Sequence, residues 1–247
     1  MVKKTSFGQI VIDRCLNSLK QILRTAFPRL CIGCMKTELT TRKNYLCIQC
    51  ISEVPFTDHF EKKYENALVQ HFYGRFPITF GAAMVYFTSG GLVQEIMHAF
   101  KYKGEQYIGR SLGKMLADRL NNCTFRPSFD IILSVPIHFK RQYMRGFNQS
   151  DILAQEIANV LKVPFEKDLL IKILETESQT TKTRSERLNN IANAIAIQKN
   201  KVEEVKGKRI LLVDDTITTG STLEACGLIL LRNGAASISI ACVAIAK

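Results

Sequence analysis

From residue 130 onward, short apolar runs alternate with longer segments whose apolar positions recur every three or four residues. "DIILSV" (130–135) predicts a strand, 149–161 a helix, "RILLV" (209–213) a strand, 221–233 a helix and "SISIACVAI" (237–245) a last strand. Between them, a charged stretch near 166–176 fits helix or strand, and 175–193 is polar. Upstream, "ITFGAAMVYF" (78–87) predicts a strand, and "GGLVQEIMHAFKYKGEQYIGRSLGKMLADRL" two helices joined by a turn at Lys103 and Gly104. Residues 9–27 place Ile12, Leu16, Leu19, Ile22 and Leu23 at helical spacing, ending before Pro28. Strands alternating with helices predict an α/β fold, a parallel doubly wound sheet with helices on both faces.

The 247 residues allow one or two domains, and 46% hydrophobic with 23% charged residues is the composition of an ordinary folded chain. No window approaches the roughly 18 apolar residues of a membrane span, and Asp13, Arg14 and Asn17 interrupt what would be a leader's apolar stretch. The expectation is a cytoplasmic chain without stable membrane insertion. The net charge of +12 adds a requirement, because such a field attracts phosphates, nucleic acid or anionic surfaces. Residues 1–63 hold eleven basic against five acidic side chains, half of the excess. Solubility alone is the plain alternative explanation.

Four of the eight cysteines lie within twenty residues, as Cys31-x2-Cys34-x12-Cys47-x2-Cys50. Each x2 pair forms a knuckle that aims two thiolates at one ion, so the four suit tetrahedral Zn²⁺, with no open position for water and hence a structural role. Gly33 is expected to supply the sharp turn of the first knuckle. Redox disulfide pairing is the competing reading. The other cysteines, Cys15, Cys123, Cys226 and Cys242, are isolated in apolar or helical contexts and are expected to be buried thiols. These segments divide the chain into an N-terminal helix and four-cysteine zinc module, 1–60, and an α/β domain, 61–247.

The densest chemistry lies in "VDDTITTGST" (213–222). At the carboxyl end of a sheet strand, where ligands bind in open α/β folds, backbone N–H groups from Ile217 to Thr222 and the start of the next helix can surround a phosphate. Thr218, Thr219, Ser221 and Thr222 add hydroxyl donors, and Gly220 allows close approach. Asp214 and Asp215 accept only, so they suit sugar hydroxyls or hydrated Mg²⁺. A ribose 5-phosphate satisfies both halves.

A strand ending in two carboxylates is common by itself, but the whole run resembles the phosphoribosyl pyrophosphate (PRPP) signature of type I phosphoribosyltransferases. The resemblance implies ribose contacts from Asp214 and Asp215, phosphate contacts from Thr218 to Thr222, and Thr216 within the same PRPP-binding set. "SVPIHFKRQYMRGFNQSDILAQEIA" (134–158) places Lys140, Arg141, Arg145 and Gly146 in a loop where pyrophosphate is held. "SQTTKTRSERLNNIANAI" (178–195) carries Gln179, Arg187 and Asn190 in a flap-like stretch. With the cysteine module, these elements are similar to the ComF family of competence-associated proteins, over nearly the whole chain.

That resemblance implies a type I phosphoribosyltransferase-like sheet, Mg²⁺ with PRPP, and a role in DNA uptake. The reaction would displace pyrophosphate, with Lys140, Arg141, Arg145 and Arg187 neutralising the leaving group. His138 is either a proton carrier or a structural histidine. The synthase domain of glutamine amidophosphoribosyltransferases is also similar, but position 2 is Val rather than a cysteine nucleophile, so glutaminase activity is not expected. With the chain stopping at Lys247, an acceptor pocket is expected from His98, Lys101, Tyr102 and Lys103 or from the cysteine module. The alternative is a non-catalytic single-stranded DNA-binding module that uses Tyr102, Tyr107, Tyr143 and Phe147 on a basic surface, with DNA-uptake and recombination proteins as partners.

Overall fold

The computed structural model of the chain describes residues 28, 30–39, 46–62, 65–102, 104–173 and 194–247. The helix expected over 9–27, Cys15, Lys103 and most of the flap-like stretch lie outside them. The chain divides between Glu53 and Val54 into two units.

In the first unit, the described residues form a tight turn over 32–34 and the helix α1 (Ile48–Glu53), with Leu30 bridging Glu38. The second unit contains α2 (Ala67–His71), β1 (Phe80–Phe87), α3 (Leu92–Tyr102), α4 (Gln106–Asn122), β2 (Ile131–Ser134), α5 (Phe139–Arg145), α6 (Gln149–Leu161), β3 (Leu170–Lys172), β4 (Ile195–Ile197), β5 (Arg209–Ile217), α7 (Ser221–Arg232) and β6 (Ser237–Ala246). Four strands form a parallel sheet in the order β1-β6-β5-β2. Its middle strands are continuous apolar runs because both faces are covered. Ile210, Leu212, Ile240 and Cys242 face α7 and the β3–β4 pair, while α6 packs on β2 and β5 and α4 on β6. This is the parallel α/β architecture expected from the alternating pattern.

Short strips extend the sheet at each border. Val85 bridges Phe56 and Tyr86 N–H donates to the Pro55 carbonyl at 2.8 Å; on the far side, Ile132 bridges Phe165 and Ile132 N–H donates to the Pro164 carbonyl, also at 2.8 Å. Residues 54–60 therefore go with the second unit. β3 and β4 stand apart as an antiparallel pair, so the ambiguous segment near 166–176 resolves as a strand over its middle.

Candidate functional site

β5 carries Asp214 and Asp215 at its carboxyl end, and the turn beyond it runs into α7 through Gly220. Gly220 adopts a left-handed φ of +69°, and a Cβ there would lie 2.9 Å from both His71 Nε2 and Phe72 Cζ. Both the conformation and the crowding require glycine. Thr218 and Thr219 are exposed, and the Thr219 and Ser221 hydroxyls lie 3.0 Å apart in a hydrogen bond. Behind the turn, the Thr219 carbonyl accepts from Arg75 Nη1 at 2.8 Å and faces His71 Nε2 at 3.0 Å. Arg75 in turn donates through Nε and Nη2 to Glu224 Oε2, a pair whose side chains are 8% and 5% exposed.

The two carboxylates leave the strand on opposite faces, as successive strand residues must. Asp214 Oδ1 accepts from Ser150 Oγ at 3.0 Å and from the Asp215 N–H at 2.8 Å. Burial, and then the neighbouring Asp215 charge, raise its pKa well above the ordinary carboxylate range. Asp215 Oδ2 pairs with Lys101 Nζ of α3 at 3.0 Å. The adjoining Thr216 hydroxyl is buried without a hydrogen-bond partner among the described residues, as is Gln149 Nε2. A buried acid held up by a like charge and, two residues on, an unpaired buried hydroxyl are groups that could accept a cation or meet the hydroxyl groups of a ligand.

Ser150 is fixed by the start of α6. The Asn148 side chain caps that helix by accepting from Ser150 N–H at 3.1 Å. Asn148 Nδ2 donates to the Val135 carbonyl and to Asp151 Oδ1, which also accepts from Ser134 Oγ at 2.6 Å. The ends of β2 and β5 are thus joined through the first turn of α6.

The stretch expected to be a pyrophosphate loop is a correction: Lys140, Arg141 and Arg145 sit on α5. The run FKRQYMR contains neither glycine nor proline, His138 caps its start by accepting the Lys140 N–H at 3.4 Å, and Gly146 ends it at φ +78°. His138 is buried, with its ring against Phe139, and its observed contact is this structural one. Arg145 donates to Gln149 Oε1 at 2.8 Å and to the Tyr102 hydroxyl at 3.2 Å, tying α5 to α6 and α3. Lys140 and Arg141 are exposed, and the Arg141 charge, after burial, helps lower the pKa of Lys172 at the end of β3. Phe139, Tyr143 and Met144 are also exposed on this helix, Tyr143 at 89%.

In the first unit, the sulfurs of Cys31, Cys34, Cys47 and Cys50 all lie within 4.8 Å of one another, and none is in a disulfide. Backbone amides support them: Cys47 N–H donates to Cys31 Sγ at 3.2 Å and Cys50 N–H to Cys47 Sγ at 3.4 Å. Hydrogen bonds from the Lys36 and Thr37 backbone lower the Cys34 pKa to about 6. Four converging sulfurs with amide donors form a set that can hold a tetrahedral metal ion. The left-handed residue of the first knuckle is Met35, at φ 53°, rather than Gly33.

Arg187, Gln179 and Asn190 lie outside the described residues, so the structure leaves their part unaddressed. Of the residues expected around an acceptor, Lys101 reaches Asp215, Tyr102 reaches Arg145, and His98 stacks on Tyr102. His71, Arg75, Ser150, Lys172 and Glu224 join the site without having been singled out by any motif. A lysine within the apolar "LIKIL" and a glutamate within "STLEACGLILL" are signals for two of them; His71 and Arg75 carry none.

A model of the phosphoribosyl transferase domain family matches residues 148–247, the stretch from Asn148 to the end of β6. The chain is 32% identical over 150 residues to the DNA utilization protein YhgH of Salmonella typhi, covering 60% of this chain and 64% of that one. It is 30% identical over 154 residues to the competence protein ComFC of Bacillus subtilis, covering 62% and 60%. Through this domain the chain is similar to these DNA utilization and competence proteins. The match thus spans less than two thirds of either relative's length. A solved purine phosphoribosyltransferase from Pyrococcus horikoshii is 21% identical, with 56% of this chain and 75% of that one covered and a TM-score of 0.37. Within this chain, Lys101, Tyr102, His71, Arg75 and Arg145 all lie before the part that the domain model matches.

Proposed function

We propose that this chain is a ComF-type protein that binds Mg²⁺-PRPP at the end of β5 and acts in DNA uptake, transferring the phosphoribosyl group to a nitrogen base or amine. The observation that carries the reading is the placement of Asp214, its pKa raised by burial and Asp215, against the Gly220 turn. Thr218 to Thr222 offer amides and hydroxyls to the 5-phosphate, Asp214 and Asp215 offer acceptors to the ribose hydroxyls, and Thr216 gives its unpartnered hydroxyl to the same ligand. In the transfer, the bond from the anomeric carbon to pyrophosphate breaks with its electron pair leaving on oxygen. The acceptor nitrogen then bonds to that carbon and loses a proton. Mg²⁺, which Asp214 and Asp215 would help to hold, would supply positive charge to the departing pyrophosphate. Lys140, Arg141, Arg145 and Arg187 are the cations assigned to the leaving group.

The DNA role is taken from what the relatives' names state of those proteins, DNA utilization and competence. Calorimetry with Mg²⁺-PRPP on the wild type and on the Asp214→Asn, Asp215→Asn protein tests the ligand; equal heats, or none, reject it. Pyrophosphate release across a panel of bases and amines tests the transfer.

A second reading, single-stranded DNA binding, is favoured by the exposed rings of Phe139, Tyr143 and Tyr102 beside Lys140 and Arg141. Bases stack on such rings while cations follow the backbone. Of the other rings expected to take part, Tyr107 is exposed, whereas Phe147 packs on Phe100. Affinity should then fall steeply with salt; salt-independent or absent binding rejects it. For the cysteine module we infer structural Zn²⁺ held by Cys31, Cys34, Cys47 and Cys50, to be checked by metal analysis of protein purified under reducing conditions.

A further inference from the structure

The Thr219 carbonyl is held by two side chains from behind the turn, and this has a consequence for the amide that follows it. We propose that Arg75 and His71 are positioning residues that lock the Thr219–Gly220 peptide, aiming the Gly220 N–H at the bound phosphate. The proposal rests on the reading of residues 218–222 as a 5-phosphate site.

A trans peptide is planar, with its C=O and N–H pointing in opposite directions. The Thr219 oxygen is anchored by Arg75 Nη1 at 2.8 Å and His71 Nε2 at 3.0 Å. The Gly220 N–H must then point away from Arg75 and His71. Because Gly220 visits both signs of φ with little steric cost, this peptide is the one in the turn freest to rotate, and an unlocked carbonyl would present its negative end to the anion. Glu224 sets the aim of the lock. It takes Nε and Nη2 of Arg75 and leaves Nη1 for the carbonyl. The guanidinium also neutralises a carboxylate in the first turn of α7, next to where an anion would bind. His71 can donate only from a protonated Nε2, which defines its tautomer.

The test titrates the full chain with ribose 5-phosphate and, separately, with Mg²⁺-pyrophosphate, which does not use the turn. Replacing Arg75→Met together with Glu224→Met removes the lock without stranding a buried carboxylate. Ribose 5-phosphate affinity should fall roughly tenfold to a hundredfold, the scale of a charged hydrogen bond, while pyrophosphate affinity stays within about threefold. His71→Phe should show a smaller loss of the same selective kind. If the double variant does not fold, Arg75→Lys replaces it, since a single ammonium cannot fork between Glu224 and the carbonyl. Unchanged ribose 5-phosphate affinity, or equal loss for both ligands, overturns the lock alone. A wild type that binds no ribose 5-phosphate overturns the phosphate reading and the lock with it.

Discussion

In the cysteine module, four thiols converge within 4.8 Å, and the buried apolar side chains among its described residues are Cys31, Ile32, Leu46 and Cys50, two of them ligand candidates themselves. At the end of β5, the acidic pair and the glycine turn stand on a core that includes Ile210, Leu212, Leu230, Ile240 and Cys242, each 0% exposed. Among its described residues the first region has little apolar area to offset the entropy of ordering its turns, and an ion bound by the four cysteines, as proposed above, would supply the difference. The second has an excess, which offsets the cost of burying an ion pair and an elevated carboxyl group. A site that relies on its metal fails all at once, whereas one built on a core can lose ligand affinity and stay folded.

The largest expected effect therefore belongs to the module. Chelation under reducing conditions, or Cys50→Ser, should abolish its ordered amide signals in two-dimensional NMR, since structural zinc supplies on the order of 10 kcal/mol in small domains. The second unit should keep its own cooperative melt; retention of the module's signals after chelation would mean that thiol packing alone holds it. Next comes Leu212→Ala in the middle of the sheet, which should cost about 3 kcal/mol in urea unfolding. A cost below about 1 kcal/mol would show that the core does not carry the turn.

A smaller effect comes from Asp214. Its pKa in the folded chain is raised from 3.8 to about 7. The group's contribution to stability is fully present below about pH 4, where both folded and unfolded chains hold the proton, and is lost as pH rises through about 7. Asp214→Asn should remove that slope and raise stability at pH 8 by about 2 kcal/mol, read as a pH series of melting temperatures. A parallel series for both proteins would contradict the burial of the carboxyl group. The smallest effect concerns Tyr143, exposed on α5: Tyr143→Ser should change stability by less than about 0.5 kcal/mol. If this face binds single-stranded DNA, the same variant should weaken that binding about tenfold.

The parts of the molecule legible in the sequence are those with local causes. The helix over 149–161 has its cap in Asn148 and its apolar period in the residues themselves, and β5 and β6 announce themselves by the apolar runs 210–213 and 240–246. Gly220, in the turn before α7, is legible for the same reason. α5 is not, because FKRQYMR buries none of its residues and so shows no amphipathic period; a histidine cap and a glycine stop make it a helix. Met35 takes the left-handed knuckle position that glycine chemistry would have favoured at residue 33. The ion pair between Arg75 and Glu224 spans 149 residues, and the contact of Lys101 with Asp215 arises only when α3 is laid against the sheet. Such contacts are products of topology, and no spacing rule in one sequence encodes them.

The proline strips at the two sheet borders carry a last consequence. An open sheet ordinarily offers its outermost strands as templates for a second chain. Here the outer rows are short segments around Pro55 and Pro164, whose carbonyls face inward and accept from the Tyr86 and Ile132 N–H groups. Edges this short give a second strand little backbone to pair with, whereas the exposed rings of α5 offer another macromolecule a surface of side chains.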